Sequence, residues 1–503
     1  MIGQLIIRNV AAALPGEGDF VLVDVLVKDG KFAKIVRSGS AEVAVSGKNS
    51  AQGVEYEMLD GSGLMMFPGA IDSHVHFDEP GFTHREDFAH GTQEAARGGV
   101  TTVVDMPCTS LPPITSLAAL ENKLNIVSSK AYIDYAFYGG ISGHLSPLEM
   151  EKTVSELAPK VVGFKCYTIS GMETFLAVTA EQFSKAIRLC AAAGRPLLLH
   201  AEDPDVIRQA SETLARERGD KAPTWRDYYA SRPKEAEIVA VNKAVELAQD
   251  AVEWLHIVHV GTAEAARSVA GAGVENSGVA RVGVASAGAT CETCAHYLAF
   301  DEDDFATRDA ALKTAPPVKD AAQKGMLWRL LAQGDINFVT SDHAGAPDYE
   351  KFTGNPLTAY GGIPGTGTLF PYVLSEGLFA GRLALQRFLE ATSGGAARRF
   401  GLDKAKGSIA VGKDADFVLV DPKVTTLLDP AKMYSKSHIT PFAGMRLAGA
   451  VVGTFVRGSC VFGSRRLVAS GSVPSELVSK VISADGAIVG SPGYGKFIQW
   501  GYA

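Results

Sequence analysis

Phe67-Pro68-Gly69-Ala70-Ile71-Asp72-Ser73-His74-Val75-His76 is a short apolar run that ends in His-x-His. Side chains alternate along an extended strand, so His74 and His76 share one side of it. Two imidazoles spaced this way at a strand's end can hold one zinc-like cation with little conformational freedom left to lose. Taken alone, the pair reads more simply as two hydrogen-bonded histidines on a half-buried strand. The rest of the chain changes that balance.

Downstream, further apolar runs each end in a polar side chain: Val161-Val162-Gly163-Phe164-Lys165, Pro196-Leu197-Leu198-Leu199-His200, Leu255-His256-Ile257-Val258-His259 and Ile336-Asn337-Phe338-Val339-Thr340-Ser341-Asp342. Runs near 69–76, 100–106, 132–138, 161–165, 196–200, 255–259, 289–294 and 336–341 alternate with helical stretches, including 180–193, 234–250, 320–332 and 384–398. Alternating strands and helices predict an α/β fold with a parallel sheet, and eight such units predict a closed barrel. Active sites of such barrels lie at the C-terminal ends of the strands, where residues distant in sequence converge. His256 is out of step with His259 and reads as a packed histidine, and His343 as a group that orients its neighbours.

The chain ends have a different texture. Val21-Leu22-Val23-Asp24-Val25-Leu26-Val27 alternates and is followed by Asp29-Gly30, a hairpin signal, and alternation returns at 416–420 and 451–458. These ends are expected to build a small β-sandwich, which gives three stretches: 1–66 (sandwich, first part), 67–406 (barrel) and 407–503 (sandwich, second part, and tail). Residues 271–290, rich in Gly, Ala and Val, read as an inserted loop.

Composition fits an enzyme in aqueous surroundings. Of 503 residues 46% are hydrophobic, enough for a large core, and the net charge is −8 without basic clusters, which argues against nucleic acid or an anionic membrane as partner. No apolar run is long enough for a membrane span and no leader pattern opens the chain, so the expected location is cytoplasmic. Six cysteines form no disulfide framework. Cys291-x-x-Cys294 lacks a second pair to complete a structural zinc site.

Together with Glu79-Pro80-Gly81, Gly98-Gly99-Val100-Thr101-Thr102, Gly163-Phe164-Lys165, His200-Ala201-Glu202, Cys291-Glu292-Thr293-Cys294-Ala295-His296-Tyr297, Ala315-Pro316-Pro317 and Ser341-Asp342-His343, these runs resemble the amidohydrolase superfamily, and within it the hydantoinases, allantoinases, dihydropyrimidinases and dihydroorotases. The resemblance extends from about residue 5 to the C-terminus. It implies a TIM-like (β/α)8 barrel with a small β-sandwich and a centre of two divalent metal ions, usually zinc. By motif position His74, His76 and Asp342 would hold the more buried ion, His200 and His259 the more exposed one, and Lys165 would bridge both. An ammonium has three donors and no acceptor, so a ligating Lys165 must be carboxylated. Charge arithmetic agrees: two divalent ions bring +4, and carbamate, Asp342 and hydroxide remove three, which leaves about one positive charge to stabilise a developing oxyanion. Asp342 is the expected proton carrier to the leaving ring nitrogen. A homodimer or homotetramer is implied by the resemblance alone.

Departures from the family patterns bear on substrate. Where dihydroorotases carry an arginine after His-x-His this chain has Asp78, which would repel a carboxylate, although Arg85 nearby could supply a cation. Ser170 stands where D-selective hydantoinases have an oxyanion-binding tyrosine, and Ala295 where a proline is usual. Lys313-Thr314-Ala315-Pro316-Pro317-Val318 and Ser437-His438-Ile439-Thr440-Pro441-Phe442 resemble L-hydantoinase-type and allantoinase sequences most. Asp78, Ser170, His296, Ala315 and Gly362 are the expected substrate contacts, with Gly361-Gly362-Ile363-Pro364-Gly365 bringing backbone amides close to the ring. The expected reaction is metal-dependent hydrolysis of a ring amide in a cyclic ureide or imide, hydantoin- or allantoin-like. Dihydroorotase or dihydropyrimidinase activity is the alternative. Non-catalytic scaffold relatives typically lose metal ligands, and none is missing here.

Overall fold

The computed structural model describes residues 4–39, 56–272, 288–465, 467 and 486–503. Most of the expected 271–290 loop, residues 273–287, lies outside them.

Both chain ends form one mixed sheet. From the N-terminal end come β1 (Gln4–Ala12), β2 (Val21–Lys28), β3 (Lys31–Arg37), β4 (Tyr56–Asp60) and β5 (Met65–Pro68). Alternation is plain in β2, where Val21, Val23, Val25 and Val27 are buried while Leu22 and Lys28 are exposed. The Asp29-Gly30 turn has positive φ at both residues (52° and 78°), as a tight hairpin of matching twist requires.

The middle of the chain supplies β6 (Ala70–Val75), β7 (Val100–Asp105), β8 (Asp134–Phe137), β9 (Gly139–Gly140), β10 (Phe164–Tyr167), β11 (Leu197–His200), β12 (Leu255–Ile257), β13 (Thr290–Cys294) and β14 (Phe338–Thr340). All pair in parallel, in the order β6-β7-β8 and β9-β10-β11-β12-β13-β14. The ladder is therefore two parallel arcs where one continuous ring was expected. One break falls at Tyr138, between β8 and β9; the other falls where the chain turns out of β14 at Asp342, which has φ 49°. The arcs adjoin at that second break: Val75 and His343 form an isolated parallel bridge, and His76 N donates to His343 O at 2.7 Å. Helices follow the strands, among them Ala180–Ala192, Lys234–Ala248 and Ala321–Gln333, near the expected bounds. The expected helix at 384–398 is helical but not uniform, with a π segment Glu390–Gly394 between Leu385–Leu389 and Gly395–Arg399. Among the described residues no helix is long and apolar enough to cross a membrane.

β15 (Phe417–Leu427), β16 (Arg446–Val456), β17 (Ser459–Gly463) and β18 (Ala487–Ile488) return to the first sheet. The two ends, expected to build a small β-sandwich, are joined by their hydrogen bonds into a single nine-stranded ladder, because β5 pairs with both β1 and β15. Its core draws on both ends, with Ile7, Val25, Phe32, Phe417, Leu419 and Phe455 in one buried cluster.

A buried ionic hub ties this sheet to the parallel strands. Lys406 Nζ lies 2.6 Å from Asp134 of β8 and 2.6 Å from Asp416 beside β15, and Arg457 closes the set from the β16–β17 turn onto Asp134. Arg457 N also donates to Asp416 Oδ1 at 2.7 Å, and Lys496 N to Asp134 Oδ1 at 2.8 Å, which fastens the C-terminal segment. Burial raises the Asp134 carboxyl, but Lys406 and Arg457 more than offset it and hold the group ionised. Removing one partner of a buried ionic cluster typically costs about 3–5 kcal/mol. Lys406→Met is therefore expected to lower unfolding stability by that amount in a denaturant titration. An unchanged midpoint would show that the hub does not join the two sheets energetically.

Candidate metal centre

Five parallel strands deliver polar side chains to one end of the arcs. His74 lies in β6 with His76 just past it, Lys165 in β10 and His200 at the end of β11, while His259 and Asp342 follow β12 and β14 by two residues. The last two sit in left-handed backbone conformations, His259 at φ 39° and Asp342 at φ 49°, as does Asp78 at φ 57°. Strain of this kind in non-glycine residues persists where surrounding structure over-determines it, and functional sites are where it concentrates.

His74 Nε2 and His76 Nε2 converge on Asp342 Oδ1 at 3.2 and 3.4 Å. His200 Nδ1 and His259 Nε2 approach to 3.0 Å. Two ligands of a tetrahedral zinc lie about 3.3–3.4 Å apart, so His74, His76 and Asp342 are close enough together to hold one ion. The rings are aimed by carboxylates behind them. Glu292 Oε1 holds His74 Nδ1 at 2.6 Å, leaving Nε2 to face Asp342. Glu202 Oε2 holds His200 Nε2 at 3.0 Å, leaving Nδ1 to face His259, and Arg232 forks onto Glu202 from outside. Burial pushes the His74 imidazole well below its usual range despite Asp342, so its lone pair is free. Burial alone would raise the Asp342 carboxyl, but His74, His76 and His259 more than offset it and hold the group ionised.

Lys165 is fully buried and its Nζ has no hydrogen-bond partner. Its nearest aromatic neighbour is the Tyr167 ring, 4.9 Å away. Burial lowers the amine to about 8, against the pull of nearby acidic groups. An orphaned amine beside four histidines and an aspartate fits a site that takes cations and a modified lysine.

The expected substrate contacts fall into two groups. Asp78 is buried with neither carboxylate oxygen partnered, and burial raises it to about 7. His296 Nε2 is likewise buried without a partner, and burial lowers that imidazole to about 4, so the ring is neutral. Ala315 is half-buried, and a Cβ on Gly361 would come within 3.4 Å of its own Cβ. Gly362 has the close approach expected of it, since a Cβ there would lie 2.6 Å from Ala344 O. Its amide, however, donates to Lys313 O at 2.9 Å, so Gly362 shapes a wall without offering its N–H to a ring. Ser170 is spent within its own loop: its hydroxyl donates to Phe175 O at 2.7 Å and accepts from Met172 N at 3.1 Å.

His343 does not join the ligands, since its Nε2 faces Glu86 at 3.2 Å and its Nδ1 accepts from Thr366 N at 3.3 Å. His256 is packed against Phe338, as its spacing indicated, yet its Nε2 also meets Glu292 Oε2 at 3.2 Å, which joins it to His74. Sequence reasoning missed Glu292, Arg232 and the Cys108–Tyr167 pair, whose Sγ and hydroxyl are 3.0 Å apart beside His76 and His200. Glu292 carried a signal: in β13 it shares a face with Thr290 and Cys294, and a carboxylate in such an apolar run needs a partner.

The profile of the Amidohydrolase family matches residues 65–461. The chain belongs to that family, and within it to the cyclic amidohydrolases, which hydrolyse C–N bonds of cyclic amides. It is 38% identical over 458 residues to an allantoinase of Rubrobacter xylanophilus, covering 88% of this chain and 95% of that one. It is 36% identical to an allantoinase of Solibacter usitatus, covering 85% and 92%. In structure it is similar to the L-hydantoinase (dihydropyrimidinase) from Arthrobacter aurescens, with a TM-score of 0.84 at 28% identity over 99% of this chain and 100% of that one.

Groups behind a metal-ligating histidine typically carry about 10–100-fold in metal affinity. Glu292→Gln is expected to weaken zinc binding by that factor in a chelator competition, with the circular dichroism spectrum retained. Undiminished affinity would mean that Glu292 does not orient His74.

Proposed function

We propose that this chain opens the ring amide of a neutral cyclic ureide of the allantoin kind, with hydantoin-type rings as the nearest competitors. The observation that carries the reading is the convergence of His74 and His76 on Asp342 with the partnerless Lys165 amine and the His200–His259 pair beside them. The allantoinase relatives support the substrate class. The proposal includes the ligand set: His74, His76 and Asp342 for one divalent ion, His200 and His259 for the other, zinc in both places, and a carboxylated Lys165 between them. It also takes the two arcs as one (β/α)8 barrel of residues 67–406, with 1–66 and 407–503 as its β-sandwich companion; the Val75–His343 bridge supports the barrel.

Bound divalent ions supply Lewis acidity and ionise a water near neutral pH. The protein's own part is positioning and proton transfer. Asp342 is the carboxylate of the proposed ligand set and its side chain is 14% exposed, so it can take the proton released during attack. It then gives that proton to the ring nitrogen, which departs as the C–N bond breaks, and the amide carbon, bonded to the added oxygen, becomes a carboxylate. Neutral His296 stands ready to hydrogen-bond a ring heteroatom. Buried Asp78, without an arginine partner, disfavours dihydroorotate, whose carboxylate would meet it.

Carboxylation of Lys165 needs its neutral amine: the nitrogen attacks carbon dioxide, a C–N bond forms and the nitrogen loses a proton. Because burial holds this amine near 8, the neutral form grows as pH rises through that value. At constant carbon dioxide pressure, a 13C carbamate signal from metal-free protein is expected to rise between about pH 7 and 9. It should be absent from Lys165→Met, and a signal that survives the substitution would place the carbamate elsewhere.

The deciding experiment is turnover by zinc-loaded, bicarbonate-treated protein on allantoin, hydantoin, 5-substituted hydantoins of both hands, dihydrouracil, a cyclic imide and dihydroorotate. The expected result is fastest turnover of allantoin. Preference for dihydroorotate would overturn the role given to Asp78, and silence on every ring without bound metal would leave a scaffold protein.

A further inference from the structure

Directly after Asp342 the chain leaves the parallel strands and returns at Ile363, and the base of this excursion is closed by Ala344 N donating to Ile363 O at 2.8 Å. Its outer part is poorly covered, with Tyr349 69% and Phe352 54% exposed. A cleft of about 470 Å³ separates it from Thr224 and Trp225. Apolar packing on that side is therefore thin. The returning stretch is held by backbone bonds, Gly362 N to Lys313 O at 2.9 Å and Tyr360 N to Glu350 O at 2.8 Å, and by Lys351. Its Nζ is buried and donates to three backbone carbonyls, Gly362 O at 2.7 Å, Tyr360 O at 3.2 Å and Lys313 O at 3.3 Å. Three acceptors match the three donors of an ammonium and leave none unpaired.

A second lysine, directly after the 3-10 turn Asp309–Leu312, grips the same excursion. Lys313 Nζ donates to Leu357 O at 3.2 Å and to Ala359 O, and stands 4.4 Å over the Tyr228 ring. Tyr228 in turn donates its hydroxyl to Thr314 O. Among the described residues neither nitrogen has a carboxylate partner, and burial lowers Lys351 to about 7 and Lys313 to about 8; their bonds to backbone carbonyls fix backbone position instead of neutralising charge.

The two backbones joined in this way are those of the candidate pocket: Tyr360 to Gly362 on one side, Lys313 to Ala315 on the other. We propose that Lys351 is a positioning residue that sets the width of the ring pocket by clamping Tyr360–Gly362 against Lys313–Ala315. It touches neither the ligand residues nor the reacting ring. Its loss should widen the pocket and weaken substrate binding while leaving the metal centre and the chemical step in place.

The test compares wild type with Lys351→Met, which keeps side-chain length and removes the donors. Amide hydrogen exchange is expected to accelerate in 344–362 and in 313–315 and to stay unchanged in the strands. KM for allantoin is expected to rise about tenfold, equivalent to about 1.4 kcal/mol of binding. kcat should change less than about twofold and metal content should be unaltered. Unchanged exchange and KM, or a fall in kcat together with lost metal, would overturn the assignment. If Lys351→Met does not fold, Lys313→Met removes the other grip and carries the same expectations. The kinetic half rests on the ureide reading and the exchange half does not. A wild type silent on allantoin with the exchange pattern intact would thus remove that reading and keep the clamp.

Discussion

A primary amine sealed from water without an acceptor is costly, and the groups around Lys165 make sense as a response to it. Desolvation opposes the charged form, and no protein carboxylate bonds to the nitrogen. The nearby imidazoles are not free to turn and serve it. Glu292 fixes His74 from one side and Glu202 fixes His200 from another, each leaving the outward nitrogen's lone pair aimed into the shared space. Even those carboxylates are committed, Glu292 to His256 and Glu202 to Arg232. The result is a set of preorganised donors turned toward one another around the buried Lys165 amine.

How much of this was legible follows from the range of the interactions. The strand-end donors could be read because alternation and apolar runs are local properties, and His74, His76, Lys165, His200, His259 and Asp342 all lie at or just past such runs. The hairpin at Asp29-Gly30 was legible for the same reason. Glu292 and Arg232 were not, because their roles depend on partners 218 and 30 residues away. The misjudged roles of Ser170 and Gly362 have one cause: a sequence shows which polar groups exist, but not which are already used by a neighbouring loop. The single ladder at the chain ends was likewise hidden, since it depends on β5 pairing on both of its edges.

The strand ends can hold their register only if the arcs themselves are fixed, and the chain termini contribute to this. Asp134 opens β8, and its carboxylate takes Lys406, Arg457 and the amide of Lys496 at once. The β2–β3 and β16–β17 turns meet closely nearby: a Cβ on Gly30 would lie 3.2 Å from that of Arg457, and one on Gly458 would lie 2.6 Å from a methyl of Val27. Glycine is needed at both turns for positive φ and for this approach. The end sheet thus acts as a brace on the parallel strands through a few desolvated charges and two interlocked turns.

Charge at the pocket mouth separates substrates more sharply than the motifs do. Arg85 was a candidate cation for an anionic ring, but its Nε donates to Glu350 Oε2 at 2.7 Å, with His84 on the other oxygen at 2.9 Å, and its guanidinium lies 4.6 Å over the Tyr360 ring. That charge is already neutralised and held flat against the wall. Asp78 has no such partner and keeps two acceptor oxygens buried and unused. A carboxylate-bearing ring would face the unpaired Asp78 carboxyl, with Arg85 already engaged by Glu350. A neutral ring with N–H groups could instead give Asp78 the donors it lacks, and unsatisfied buried acceptors discriminate strongly for a ligand that satisfies them. On that argument the proposed pocket would favour ureides over dihydroorotate through what it leaves unpaired.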